Sequence, residues 1–446
     1  MAGPERDPRI EDALGYLQRL VDHEVSSVGV AAGVIDGLSL DGPRRVLEAL
    51  GDPHRSYRVV HVTGTNGKGT VCRLVEALVG AVGLRVGAYL SPEGTVQERI
   101  RVDGRPIDDA ALADVIESVR GAAVHLDVAL TAFEAVTLAA LVALADAPVD
   151  VAVVEVGLLG RYDATNVVDA DVAVVTTVGG DHTDFAPGWR DRVAHEKAGI
   201  IESGHAAVLG AIDDDLVAHF AAEGPEPLVR FGHDFDCVDN RLAVGGRRLE
   251  VVTSRGNRLE LLVPLHGAHQ GANVAVAVEA VEQVLHTELA ADVVEAAFER
   301  VVVPGRLEVL GHGPLVVLDG AHNADAATAV GEALAESFVV AGRRTAVVGT
   351  LVGRDPVAFL DALHRAYPLD LVVAVPLAPP RGFPGEAVAA AAESLGIAAR
   401  VARDVGAGVR DALEGSDDDD VVVVTGSFRL VDEARMAWRR WGRSHG

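Results

Sequence analysis

The chain has 446 residues, nearly half of them hydrophobic, which predicts two domains with well-buried sheets. Its formal net charge of −27 excludes nucleic acid as the main partner, because no basic excess exists to neutralise phosphates. Two cysteines, no apolar run of about 18 residues, and an acidic N-terminus without a signal-peptide pattern predict a cytoplasmic protein without a membrane span.

The first 303 residues predict an α/β domain in which buried strands alternate with helices. Continuous β-branched runs are typical of parallel strands that are covered on both faces, so we expect a doubly wound, mostly parallel sheet. The predicted elements are helices at 9–22 and 42–50, a strand at 57–63, a helix at 71–83, a strand at 85–90, a hairpin at 98–107, a helix at 132–145, and strands at 149–157 and 170–180.

The sequence pattern changes between residues 205 and 265. Shorter runs with glycine turns, at 205–210, 242–252 and 258–265, predict a mixed or antiparallel edge, and a helix follows at 272–285. We place a domain boundary near residue 304. Residues 304–446 contain four more buried runs separated by helices, which predicts a smaller Rossmann-like α/β domain.

The most specific motif is the run Gly64-Thr65-Asn66-Gly67-Lys68-Gly69-Thr70. A buried strand precedes it and an amphipathic helix follows, as in a phosphate-binding loop, although the spacing is shorter than the general pattern. Its glycines let backbone amides turn toward a phosphate at a helix N-terminus, where the helix dipole favours anions. We expect Lys68 to contact the β- and γ-phosphates and Thr70 to lie near the bound metal. A glycine-rich turn without a ligand is the alternative.

Polar residues also follow two of the predicted strands. Glu155 lies near the end of the strand at 149–157, and Asp181-His182 follow the strand at 170–180. Because ligands of open α/β sheets bind beyond the carboxyl ends of strands, these residues should share an edge with the phosphate loop. Glu155 and His182 could hold Mg²⁺, although imidazole is an unusual ligand for so hard a cation. Alternatively, Glu155 pairs with Arg161 and His182 only makes a hydrogen bond in a turn.

Lysine is unusually rare in this chain. Only Lys68 and Lys197 occur among the 39 lysine and arginine residues. Such a composition should keep lysine where arginine cannot replace its compact ammonium, which points to two functional sites. Lys197 lies on a predicted helix at the same sheet edge. A desolvated lysine there could lose its proton and react with CO₂ to form a carbamate; an ordinary surface lysine is the alternative.

Ten segments occur in the order found in folylpolyglutamate/dihydrofolate synthases, a family of the Mur-ligase group, and the chain resembles that family over nearly its whole length. The segments are HVTGTNGKGT, SPEGTVQERIRVDGRPI, TAFEAVTLAAL, VEVGLLGRYDATN, DHTDF, HEKAGII, HQGAN, PGRLEV, LDGAHN and VTGSFRLV.

The resemblance implies that ATP phosphorylates a substrate carboxylate and that the amine of L-glutamate attacks the acyl phosphate. Lys68, His182 and Lys197 are implied catalytic residues. Two Mg²⁺ ions are implied, held by Ser91, Glu155, His182 and a carbamylated Lys197. ATP contacts are implied for residues 64–70, Asn273, Arg306 and Asp319. Contacts with the acceptor, dihydropteroate or a reduced folate, are implied for Asp36, Thr131, Ala132, Phe133, Glu134, Tyr162, Asp163, Ala164 and His322.

The chain departs from the family pattern in a few segments that should line the acceptor pocket. Ser91-Pro92-Glu93 replaces the usual S-P-H, and Gly157-Leu158-Leu159-Gly160-Arg161 replaces G-L-G-G-R. Val178-Gly179-Gly180 stands before the Asp-His pair. Glutamate ligation is therefore better supported than the identity of the acceptor.

Other functions remain open at this point. The first is a Mur-type ligase that joins an amino acid to a non-folate carboxylate. The second is a nucleotide-binding regulatory protein without ligase activity, against which the retention of Lys68, Glu155, His182 and Lys197 argues. We expect a monomer. The acidity has two interpretations, a salt-rich cytoplasm or compositional drift.

Overall fold

The computed structural model describes residues 8–21, 39–90, 94–181, 183, 185–299, 301–378 and 381–445. Within these ranges, no helix is both long enough and apolar enough to cross a membrane. The chain forms two compact units. The first comprises Met1–Asp239, Leu249–Leu261 and Gly271–Val301, and the second comprises Asn240–Arg248, Leu262–Gln270 and Val302–Gly446.

An eight-stranded sheet forms the centre of the first unit. Its strands are β1 (Arg58–Thr63), β2 (Val86–Tyr89), β3 (Ile100–Val102), β4 (Arg105–Pro106), β5 (Val151–Glu155), β6 (Val172–Thr177), β7 (Ala206–Ala211) and β8 (Leu228–Arg230). They lie in the order β4-β3-β2-β5-β1-β6-β7-β8. The six strands from β2 to β8 are parallel, and β3 and β4 add an antiparallel edge.

Helices cover this sheet and supply the rest of the core of the first unit. They are α1 (Pro8–Arg19), α2 (Asp41–Ala49), α3 (Lys68–Ala81), α4 (Val96–Arg99), α5 (Asp109–His125), α6 (Ala132–Asp146), α7 (Trp189–Ala198) and α8 (Val217–Ala221). α6 is buried on nearly every side, from Ala135 to Leu144, because it packs against the sheet and is covered in turn by α1 and α5. This position explains its almost entirely apolar sequence.

The strand register brings four strand ends to one edge of the sheet. On β1, Val62 is paired with Glu155 of β5, and Thr63 is paired with Val175 of β6. On β2, Tyr89 is paired with Val154 of β5. Because all four strands are parallel, the segments that follow them emerge side by side at the same edge.

A separate three-stranded sheet contains β9 (Asp236–Ala243), β10 (Gly246–Val252) and β11 (Arg258–Val263), in the order β11-β10-β9. Helices α9 (Gln270–Leu285) and α10 (Ala291–Phe298) follow it. Two fully buried carboxylates of α9 fix the turn between β10 and β11. Glu279 accepts hydrogen bonds from Ser254 N (2.9 Å), Ser254 Oγ (2.6 Å) and Gln283 Nε2 (2.7 Å), and Glu282 accepts one from Asn257 Nδ2 (2.8 Å).

The second unit is built on a six-stranded sheet in the order β12-β13-β17-β14-β15-β16. Its strands are β12 (Glu308–His312), β13 (Leu315–Asp319), β14 (Arg344–Val348), β15 (Leu371–Ala374), β16 (Ala398–Val401) and β17 (Val421–Thr425). The sheet is parallel except for β12. Two apolar cores contain its helices, α11 (Ala324–Ser337), α12 (Pro356–Ala366), α13 (Gly385–Ser394), α14 (Val405–Glu414) and α15 (Phe428–His445).

The predicted α/β class with mostly parallel sheets is confirmed, but two details of the prediction were wrong. The run at 205–210 forms β7, which pairs in parallel with β6 inside the large sheet and is not part of an antiparallel edge. The second sheet has six strands where four were predicted. β12 and β16 were missed because they are edge strands with partly exposed side chains and lack a continuous apolar run. The predicted boundary near residue 304 remains a prediction.

Replacing Glu279 by Ala should lower the free energy of unfolding of the first unit by about 2–4 kcal/mol, because buried donors lose their acceptor. Urea denaturation would measure the change. Glu288 is exposed and provides the matched control, for which Glu288→Ala should alter stability by less than about 0.5 kcal/mol. Equal stabilities of the two variants would contradict this role of Glu279.

Candidate active site

The predicted phosphate loop connects β1 directly to α3. Gly64 and Gly67 have φ values of +146° and +90°, and α3 begins at Lys68 with Gly67 as its N-cap residue. No side chain caps this helix end. The first amides of α3 are therefore available to an anion, and the helix dipole favours one there.

The two glycines are required by close contacts as well as by their backbone angles. A Cβ atom at Gly64 would lie 1.8 Å from Thr176 Oγ1, and one at Gly67 would lie 2.6 Å from Asn273 Oδ1. The loop thus packs tightly against the end of β6 and the start of α9. This contact brings Asn273, a predicted nucleotide-binding residue, to the phosphate loop.

The Lys68 side chain lies across the loop that precedes it. Its Nζ donates hydrogen bonds to the carbonyl oxygens of Gly64 (2.7 Å) and Thr65 (3.4 Å). These carbonyls hold the ammonium over the loop, where a phosphate bound to the α3 amides would meet it. Gly69 and Thr70 are buried in the first turn of α3.

Glu155 ends β5 beside this loop and is only 6% exposed. Its carboxylate and the Lys68 ammonium both act on the buried thiol of Cys72 in α3. Burial raises the pKa of Cys72 well above its usual range, Glu155 raises it further, and Lys68 lowers it. The thiol therefore stays protonated and is no nucleophile, while its surroundings show that Glu155 and Lys68 share one neighbourhood.

Lys197 lies in the last turn of α7 and is 3% exposed. Burial lowers the pKa of Lys197 to about 7; nearby Lys68 lowers it as well, whereas Asp181 raises it. The only two lysines of the chain are thus electrostatic neighbours. Near neutral pH a large fraction of Lys197 is an uncharged, nucleophilic amine.

The described residues supply part of the predicted metal site. Ser91 and His182 lie outside the described residues, as does Asp36 of the predicted acceptor site. Within the described part of the chain, no group of three or more His, Cys, Asp and Glu side chains could hold a metal ion. Glu155 provides a buried carboxylate, and oxygen ligands of this kind suit Mg²⁺. A carbamate on Lys197 would add a second oxygen donor.

Two of the predicted acceptor-binding residues have a structural role at the start of α6. Thr131 and Glu134 form a capping box, in which Glu134 N donates to Thr131 Oγ1 (3.2 Å) and Thr131 N donates to Glu134 Oε2 (2.7 Å). Between them, Ala132 and Phe133 begin the helix. A Cβ atom at Gly157 would lie 2.6 Å from Phe133 Cζ, so the Phe133 ring lies against the segment after Glu155.

Asp163 holds the segment after Glu155 in place through hydrogen bonds. Its buried carboxylate accepts hydrogen bonds from Leu158 N (2.7 Å), Thr165 N (3.0 Å) and Thr165 Oγ1 (2.6 Å). Thr165 Oγ1 also contacts His61 Nε2 on β1 at 2.9 Å. Burial raises the pKa of Asp163 and lowers that of His61 to about 3, so the imidazole is neutral. The sequence patterns predicted no role for His61 or Thr165, although a histidine inside an apolar strand was a visible signal.

Tyr162 and Ala164 flank Asp163 and differ in exposure. Tyr162 is 43% exposed, and Ala164 is 5% exposed. In the same segment Leu159 has a φ of +56°, a conformation that favours glycine, and glycine is what the family pattern has there. The Leu159 side chain is buried against Val193. Its apolar packing offsets the backbone strain.

In the second unit, Phe428 contacts two predicted site residues, Arg306 and His322, and a third, Asp319, lies near Arg306. The Arg306 guanidinium lies 4.0 Å from the Phe428 ring centroid, and the His322 ring lies edge-on to it at 6.2 Å. Asp319 accepts hydrogen bonds from Leu307 N (2.9 Å) and Ala321 N (2.8 Å). Burial raises the pKa of Asp319, and Arg306 lowers it. Phe428 belongs to the segment VTGSFRLV, but no role was predicted for it from the sequence.

Comparison with protein families gives two matches. Residues 62–281 match the Mur ligase middle domain, and residues 305–428 match the Mur ligase, glutamate ligase domain. The first match includes the phosphate loop, Glu155 and Lys197. The second includes Arg306, Asp319 and Phe428.

Individual proteins agree with these matches. The dihydrofolate synthase/folylpolyglutamate synthase of Mycobacterium tuberculosis is 36% identical, over 78% of this chain and 76% of its own. Mycobacterium tuberculosis folylpolyglutamate synthase complexed with ADP has a TM-score of 0.87 and 33% identity, with 96% of this chain and 98% of that chain covered. A bifunctional folylpolyglutamate synthase/dihydrofolate synthase with Mn, AMPPNP and L-glutamate bound has a TM-score of 0.82 and 31% identity, with 98% of each chain covered. The chain belongs to the folylpolyglutamate synthase/dihydrofolate synthase family of Mur ligases.

Proposed function

We propose that this protein is an ATP-dependent ligase that forms an amide bond between L-glutamate and the carboxylate of dihydropteroate or a reduced folate. The observation that carries the proposal is the arrangement at one edge of the large sheet. The phosphate loop, Glu155 and both lysines of the chain meet there, and a relative that is 36% identical is a dihydrofolate synthase/folylpolyglutamate synthase.

The phosphates of ATP bind at the glycine-rich turn. The uncapped amides of α3 face the β- and γ-phosphates, and Asn273 contacts the nucleotide from the start of α9. Lys68 then exchanges its carbonyl partners for phosphate oxygens and stabilises the charge of the phosphoryl group during its transfer. The related structures with ADP and AMPPNP support nucleotide binding by this fold.

Magnesium is the divalent cation proposed for this site, as a Lewis acid that neutralises phosphate charge. Glu155 would hold it together with Ser91 and His182, and the relative with Mn bound supports a divalent ion. Lys197 would contribute an oxygen donor as a carbamate near a second ion. Its neutral amine attacks CO₂, one proton is released, and the former cation becomes an anionic oxygen donor.

The reaction proceeds through an acyl phosphate. An oxygen of the acceptor carboxylate attacks the γ-phosphorus, and ADP leaves. The amine of L-glutamate then attacks the acyl carbon, and phosphate leaves with the former carboxylate oxygen from a tetrahedral intermediate. The protein mainly contributes alignment and charge stabilisation, which are the large terms in such transfers.

The acceptor lies against Phe133 and the segment that Asp163 holds. The same part of the site is bordered by Thr131, Ala132, Glu134, Tyr162 and Ala164. Asp36 is a further proposed contact with the acceptor. The glutamate-bound relative supports glutamate as the second substrate. We further propose Arg306 and Asp319 as ATP contacts, His322 as a substrate contact, a monomeric state and a cytoplasmic location. A Mur-type ligase for a non-folate carboxylate is the second candidate, because the departures from the family pattern fall in the acceptor segments.

The decisive assay is incubation with ATP, Mg²⁺, L-glutamate and either dihydropteroate or tetrahydrofolate, followed by mass analysis of the product. Addition of one or more glutamyl residues with matching ADP formation supports the proposal. Glutamate-dependent ADP formation with other carboxylates, and none with these two, would support the second candidate and contradict folate-type ligation.

Replacing Lys68 by Ala should reduce kcat at least about a hundredfold, because an ammonium that stabilises transferring charge is lost. Glutamate-dependent ADP release measures the loss. Arg105 is exposed on the β3–β4 hairpin, so Arg105→Ala is the matched loss of a cation and should leave the rate unchanged. A Lys68→Ala enzyme with normal turnover would exclude the proposed role.

Carbamylation of Lys197 should be visible by NMR after addition of carbon-13 bicarbonate. We expect a carbamate signal in the wild type that is lost in Lys197→Ala, and a small carboxylate in the buffer should partly restore activity to that variant. A wild-type enzyme that is fully active in CO₂-depleted buffer and shows no carbamate signal would contradict the modification.

Burial of Lys197 should also make stability depend on pH in CO₂-depleted buffer. Between the folded pKa of about 7 and the ordinary value of 10.5, the unfolded chain binds a proton that the folded chain does not. The stability of the wild type therefore rises with pH across this window. The free energy of unfolding of Lys197→Met should exceed that of the wild type most below pH 7. The difference between the two proteins should shrink toward pH 10.5. A difference in unfolding free energy that is independent of pH would contradict the burial of this amine.

A further inference from the structure

Arg99 is a partly buried cation whose side chain lies beside the end of β2. It is the last residue of α4, and its Nη2 donates a hydrogen bond to the Tyr89 hydroxyl (2.7 Å) while its Nε donates to the Leu90 carbonyl (3.3 Å). Its guanidinium carbon lies 5.1 Å from the Tyr89 ring centroid and 5.5 Å from the Phe133 ring centroid. Two anchored nitrogens and two aromatic rings fix the orientation of the group.

Arg99 differs from several other shielded arginines of this acidic chain. Arg101, Arg161 and Arg435 each form an ion pair with a glutamate. Across the described residues, Arg99 has no ion pair, and its Nη1 donates no hydrogen bond. Arginine favours planar, charge-assisted contacts with oxygen acceptors, so the N–H groups of Arg99 Nη1 are suited to bind an oxygen of a ligand.

The position of Arg99 matches the path of the acceptor. Phe133 lies against Gly157, two residues after Glu155, and Tyr89 is paired with Val154 on β5. In the order β2-β5-β1, β2 is two strands from the strand that leads into the phosphate loop. At about 4.8 Å per strand, this is roughly 10 Å. A substrate whose reacting carboxylate lies at the phosphate loop can therefore reach Arg99 with a group that is distant from that carboxylate.

We propose that Arg99 determines acceptor specificity by donating hydrogen bonds to an oxygen of the acceptor other than the reacting carboxylate oxygens. The ligand class is a planar aromatic acid that carries a second carbonyl or carboxylate group. This inference rests on the proposed function and names a further residue of its site. Arg99 acts on substrate binding and has no part in phosphoryl transfer.

Kinetics of Arg99→Gln with the acceptor, ATP and glutamate varied in turn would test this role. The KM for the acceptor should rise about tenfold to a hundredfold, as expected for loss of a charge-assisted contact, and the KM values for ATP and glutamate should stay within about twofold. Arg105→Gln, on the adjacent hairpin, is the control and should leave all three KM values unchanged.

Two acceptors locate the oxygen that Arg99 contacts. Dihydropteroate has a single carboxylate, which reacts, whereas tetrahydrofolate carries an additional α-carboxylate on its glutamyl group. An equal rise in KM for both supports a contact with the shared ring system. A rise confined to tetrahydrofolate supports a contact with the α-carboxylate.

A purely structural role gives a different result. An unchanged acceptor KM, or equal increases for all three substrates with a lowered melting temperature, would overturn the inference. Tyr89→Phe keeps the ring and removes one partner of Arg99. It should raise only the acceptor KM, by less than Arg99→Gln, and an unchanged value would count against the proposal. If the wild type ligates glutamate to neither acceptor, the proposed function fails instead.

Discussion

Two lysine side chains at one buried edge impose the strongest constraint on this structure. Lys68 and Lys197 are close enough to repel each other, and burial further disfavours the charge on Lys197. Asp181 raises the pKa of Lys197, but this offsets the effects of burial and of Lys68 only in part. Such an arrangement is costly in a free protein and becomes favourable when anions bind, because phosphate oxygens compensate Lys68 and a carbamate removes the charge of Lys197. The site is thus suited to anionic substrates before they arrive.

The rest of the first unit holds this edge in place. The parallel register of β2, β5, β1 and β6 fixes where each following segment begins, and the glycines of the phosphate loop allow contact with Thr176 and Asn273. Behind the edge, hydrogen bonds from His61 through Thr165 to Asp163 join the strand before the phosphate loop to the segment that we propose borders the acceptor. A shift in one segment would therefore disturb both binding places.

Much of this arrangement could be predicted from the sequence. The buried strands have continuous β-branched runs, and the scarcity of lysine singled out Lys68 and Lys197 before any geometry was known. Edge strands β12 and β16 lacked that signal, since their side chains are partly exposed. The capping box of Thr131 and Glu134 has a recognisable sequence pattern, but the family resemblance implied a role in substrate binding for these two residues. The ion-pair status of Arg99 depends on contacts across strands, which no local pattern reveals.

The central claim is that the acceptor carboxylate is activated by phosphorylation at this edge. Dihydropteroate labelled with oxygen-18 in its carboxylate tests it most directly, with mass analysis of the phosphate released during glutamate ligation. We predict that each phosphate carries one labelled oxygen, because the acyl phosphate transfers a carboxylate oxygen to phosphorus. Phosphate that contains no label, released while the amide product forms, would contradict the account.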